Sequence, residues 1–136
     1  MNLYTIACLY NFAVIPFWLF TNISKLDPFV FSNKGICAIL LFGIMYLAIP
    51  LYSKGRTITQ SEYHALGDFK LLIMFEKLVY VSLWLYWLLT NNIFNVMGNS
   101  IVTGLFMALY GIGDFIFALM FLIDVIYPDE NLEVFY

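Results

Sequence analysis

Four apolar stretches, each long enough to make a membrane-crossing helix, fill most of this chain and leave only short connections between them. In hydrocarbon the backbone must satisfy its own N–H and C=O groups, so a spanning chain is confined to helices or closed barrels. Continuous apolar runs without strict alternation select helices. The predicted fold class is therefore an all-α membrane protein, an antiparallel four-transmembrane-helix bundle. One integral membrane domain is expected over residues 1–136, with spans near 3–20, 36–52, 69–89 and 101–127. Composition agrees: 63% of residues are hydrophobic and 11% charged, where soluble domains carry about a quarter charged residues. The first stretch reads as a retained span, because it lacks a positive leading region and a small-residue cleavage site after Leu19-Phe20.

Local signals place the breaks. Pro16 removes a backbone donor and is expected to kink the first span, and Pro50 lies near the exit of the second. Thr59-Gln60-Ser61-Glu62 has the spacing of a capping box and predicts a helical lead-in to the third span. Phe29-Val30-Phe31 is expected at the membrane interface, and the Asn-rich stretch from Thr90 to Ser100 as a loop. Pro128 ends the fourth span, before an acidic tail.

Charge excludes several function classes. The net charge of −3 comes largely from Asp129, Glu130 and Glu133, and no basic stripe is present, so no nucleic acid partner is expected. Cys8 and Cys37 lie in apolar context and read as small buried hydrophobes. With one histidine, His64, and no CxxC, no metal site and no cofactor are expected. Lys54, Arg56 and Lys70 on one side outnumber Lys25 and Lys34 on the other, which predicts both termini in the cytoplasm. Small size and compact loops suggest a bacterial plasma (inner) membrane.

The chemistry-bearing residues are the charges inside the spans, since a charged side chain in hydrocarbon is costly and marks a functional candidate. Glu76 and Lys77 lie about 10–12 Å from the inner face, in one layer with Asn11 and Tyr46. Asp114 is placed deeper, about 20 Å from the inner end of its span. At 100° per residue Glu76 shares a face with Tyr80 and Trp87, whereas Lys77 turns towards the side of Lys70 and Trp84. Lys77 is accordingly expected to snorkel to the inner interface or reach Asp124. Gly104, Gly111 and Ala118 recur on the Asp114 side, where small residues let helices approach, and Tyr110 flanks them. The candidate ligand-binding set is Glu76, Asp114, Tyr80, Asn11, Tyr46, Trp87 and Tyr110.

One local pattern has a known counterpart. Gly111-Ile112-Gly113-Asp114-Phe115 fits GxGD and resembles the second catalytic motif of presenilin-type intramembrane aspartyl proteases. That resemblance implies an aspartate sharing a proton with a second aspartate on the preceding helix. It covers five residues: the preceding span has Glu76 in place of a Tyr-Asp pair, and the Pro-Ala-Leu element is absent.

Three function classes follow. The first is a polar intramembrane pocket that binds or transports a small or lipophilic ligand or an ion. The second is an accessory or assembly subunit, docking into a larger membrane complex or a homo-oligomer through the small-residue stripe and aromatic surface. The third is a membrane-embedded enzyme using paired carboxylates, ranked last because no nucleophile-base pair, metal cluster or phosphate loop supports it. The lipid bilayer is a partner in all three.

Overall fold

A computed structural model describes residues 2–53, 58–127 and 134–135. Lys54 and Arg56, used in the topology count, lie outside those residues, as do Pro128 and the acidic Asp129, Glu130 and Glu133. Four helical segments are long and apolar enough to cross a membrane: Leu3–Phe20, Asn33–Tyr52, Gln60–Thr90 and Ile101–Ile126.

The first two spans are each split by their proline. Helices α1 (Leu3–Phe12) and α2 (Val14–Phe20) meet at Ala13, four residues after which the chain has reached Phe17. The last residue of α1, Phe12, stands four residues before Pro16, the position whose carbonyl the proline ring strikes and whose hydrogen bond it removes. The second span repeats the arrangement. After the short α3 (Ile23–Leu26), α4 (Asn33–Tyr46) ends four residues before Pro50, and α5 (Ala48–Ser53) carries on. Ala13 and Leu47 at the joints keep right-handed helical backbone, so each pair is one bent span.

The connection between these spans departs from expectation. Asp27 Oδ1 accepts from the amides of Val30 (3.0 Å) and Phe29 (3.2 Å), which turns the chain back towards the bundle. Phe29 points outward, but Val30 and Phe31 are buried, and Phe31 meets the Tyr110 ring edge-on at 5.1 Å. The patch expected at the interface is thus two-thirds core. Gly35 makes room for this, since a Cβ there would overlap the Val30 carbonyl.

The third span, α6 (Gln60–Thr90), is 31 residues long and opens with the predicted capping box of Thr59 and Glu62. Its helix therefore begins well before Phe69. The Asn-rich stretch is not a plain loop: Asn92 caps α7 (Ile93–Asn99) by accepting from the Phe94 amide at 3.0 Å. Ser100 then caps α8 (Ile101–Ile126). Ile58–Thr59 pair in parallel with Val134–Phe135. Cys8 is buried, whereas Cys37 faces outward, contrary to its expected burial, on a lipid-type face of α4.

The main packing partners are α6 with α8, α1 with α4, and α7 with α8. Along α6 and α8 the contacts run in opposite order: Lys70 pairs with Asp124, Lys77 with Asp114, and the Trp84 indole donates to the Met107 carbonyl at 2.9 Å. Two apolar clusters result. One gathers Phe31, Trp84, Trp87, Met107 and Tyr110; the other gathers Tyr4, Tyr46, Ile73, Phe117 and Phe121. The small-residue stripe of α8 lies against the chain itself. A Cβ on Gly111 would overlap the Trp84 indole, and one on Gly104 would overlap Met97. The stripe expected as a docking seam is already occupied from within.

Candidate functional site

A layer of polar side chains lies between the two apolar clusters, supplied by α1, α4, α6 and α8. At its centre the Lys77 ammonium donates to Asp114 Oδ1 and to Asn11 Oδ1, both at 2.7 Å. The Tyr10 and Tyr46 rings flank it, with centroids 5.5 and 5.3 Å away. Asn11 is oriented from its other end, where Nδ2 donates to the Ile39 carbonyl of α4 at 3.0 Å. One amide thus ties three helices together, with its acceptor on the cation and its donor on a backbone oxygen.

Lys77 is 1% exposed, so the expectation that it snorkels or reaches Asp124 is wrong. Lys70 takes Asp124 instead, at 2.7 Å, with the Tyr4 hydroxyl donating to the same carboxylate. The error lies in the depth scale. With Lys70 level with Asp124, Lys77 stands about 10 Å further along α6 and Asp114 about 15 Å further along α8. A lysine stem spans that offset. The sequence signal was available in the charge pattern: two lysines on the third span and two aspartates on the fourth, in opposite order along the chain. Tyr10 was also missed; its hydroxyl donates to the Tyr110 carbonyl, and Gly113 makes room for it.

Glu76 points away from Lys77's partners, as its angular position requires. The Tyr46 hydroxyl donates to Oε2. Its other oxygen, Oε1, is buried without a hydrogen-bond partner, and so is the Tyr110 hydroxyl. Such atoms are costly unless something reaches them. Both residues line a cavity of about 460 Å³. Its polar end is formed by Asn11, Glu76, Lys77, Tyr80 and Asp114, and Phe17, Phe31, Phe106 and Leu109 form much of the apolar wall. Ala13, Val102, Leu105 and Leu109 reach the outer surface of the bundle.

Of the seven candidate residues, Asn11, Glu76, Tyr80, Tyr110 and Asp114 meet at this cavity. Tyr46 stands behind Glu76 and holds it. Trp87 sits elsewhere, donating its indole N–H to the Leu26 carbonyl at 2.8 Å. The GxGD aspartate carries an ion pair with Lys77 where the protease resemblance implies a second acid sharing its proton. Comparison with protein-family models, curated proteins and solved structures finds no match to this chain.

Proposed function

We propose that this chain is an antiparallel four-helix bundle, with both termini on the cytoplasmic side, that binds a small lipophilic molecule within the membrane. The cavity carries the reading. Its volume of about 460 Å³ falls in the range of small-molecule sites, about 300–1,000 Å³. Mostly apolar walls with a few convergent polar groups at one end are the usual make-up of such sites. A bare cation is a poorer fit, since hard ions take about six or more oxygens and the carboxylates lining the cavity among the described residues are Glu76 and Asp114, the latter already paired with Lys77. The antiparallel arrangement is supported by the opposite order of contacts along α6 and α8, and of Asn11 with Ile39 and Cys8 with Gly43 along α1 and α4.

The ligand reaches the cavity from the bilayer, between the kinked first span and the Val102–Leu109 face of α8. Pro16 shapes this mouth by ending α1 early. A neutral aryl diazirine delivered through lipid tests the reading. It is expected to label the inward Tyr80 and Phe31 as well as the outward Leu85, and Leu109→Trp should remove only the inward labels. Labelling confined to outward residues in the native protein would reject the site.

A further inference from the structure

The site reading leaves open which head group the polar end recognises. Resting on that reading, we infer that it takes a lipophilic molecule with a protonated amine at its head, bound to the Glu76 carboxylate and with its apolar body among the aromatic walls. The charges of the polar layer motivate this. Lys77 is the cation of the cavity wall among the described residues, and its ammonium is engaged by Asp114 and Asn11. Among the described residues Glu76 has no ion-pair partner of its own; Tyr46 gives it one neutral hydrogen bond, and Oε1 remains unmet at 92% burial of the residue. With all three groups ionised, one lysine and two carboxylates sum to −1, a charge that the low-dielectric interior penalises.

A cationic head cancels that charge and gives Oε1 the donor it lacks, in a charge-assisted hydrogen bond. The aromatic faces of Tyr80, Phe31 and Phe106 around the same space suit an alkylammonium. An anionic head gains nothing here. It would lie beside two carboxylates, and the lysine is already taken.

Three probes of matched shape decide the matter: phenylbutylamine, phenylbutanol and phenylbutyrate, each titrated against the full chain in nanodiscs, with protection of Tyr80 from diazirine labelling as the readout. The amine is expected to bind about ten-fold or more tightly than the alcohol, the size of one charge-assisted hydrogen bond, and the acid most weakly. Glu76→Gln should bring the amine to the level of the alcohol and leave the alcohol unchanged. Equal binding of amine and alcohol to the native protein would overturn the cationic head, because a proton on Glu76 then supplies the neutrality; the lipophilic site itself would stand. An amine preference that survives Glu76→Gln would overturn the assignment to Glu76. Failure of all three probes, with no inward labelling to protect, would overturn the site reading as well. Should Glu76→Gln fail to fold, the ranking on the native chain still decides for or against the amine.

Discussion

Lys70 and Lys77 lie two turns apart on α6, and each meets an aspartate of α8 at 2.7 Å beside a tyrosine ring. The chemistry is the same and the surroundings are not. The Asp124 side chain is 25% exposed at the end of the bundle, where water can share its charge even though Lys70 is buried; that of Asp114 is 9% exposed and faces the cavity wall inside the bundle. An ion pair at the rim competes with hydration and adds little, whereas in a dry interior no water stands in for a lost partner. The outer pair therefore marks where the bundle ends. The inner pair holds three helices in register and fixes the charge that the cavity presents.

Breaking the inner pair should have the largest effect. Lys77→Met leaves Glu76 and Asp114 without a cation, and a loss of about 3–5 kcal/mol is expected for one partner removed from a buried pair. Unfolding in mixed micelles measures it, and adding Asp114→Leu should restore most of the loss. A Lys77→Met protein as stable as the native one would erase the distinction between the two pairs. Next comes the seam that carries both bridges. Gly111→Ala drives a methyl into the Trp84 indole close to Asp114, and overpacking of this kind costs about 1–3 kcal/mol. Gly67→Ala, with nothing within 4 Å of the new methyl, is the matched control and should not destabilise the same helix pair. The smallest effect belongs to the rim: Asp124→Asn should cost about 1 kcal/mol or less, and less again in high salt. A loss as large as that of Lys77→Met would mean that Asp124 is also sheltered from water.

Much of the polar layer was legible from counting residues along helices. Asn11, Tyr46 and Glu76 were expected at one level, and the structure bonds Asn11 to Lys77 and Tyr46 to Glu76. The separation of Glu76 from Lys77 by 100° also holds, since one serves α4 and the other α8. Counting failed where it needed an origin shared by two helices. The capping box predicted a helical lead-in, but depth on the third span was counted from Phe69 and on the fourth from Tyr127, which set Asp114 deeper than Lys77 instead of beside it. Phe31 was misplaced for a related reason. Its apolar neighbours said that it avoids water, and only the Asp27 turn decided that it does so inside the protein.

What the chain carries on its own is everything set within a few residues. Apolar length made four helices suited to a membrane, Pro16 and Pro50 bent two of them, and Thr59, Asn92 and Ser100 started others by filling orphan amides. These depend on hydrogen bonds between near neighbours, which a local stretch of sequence contains in full. Which lysine meets which aspartate, which carboxylate oxygen is left over, and whether space remains between α1 and α8 depend on how far one helix slides along another. That offset is set by loops, bends and bulky contacts such as Trp84 on Gly111, all acting at once. Only the assembled bundle contains it.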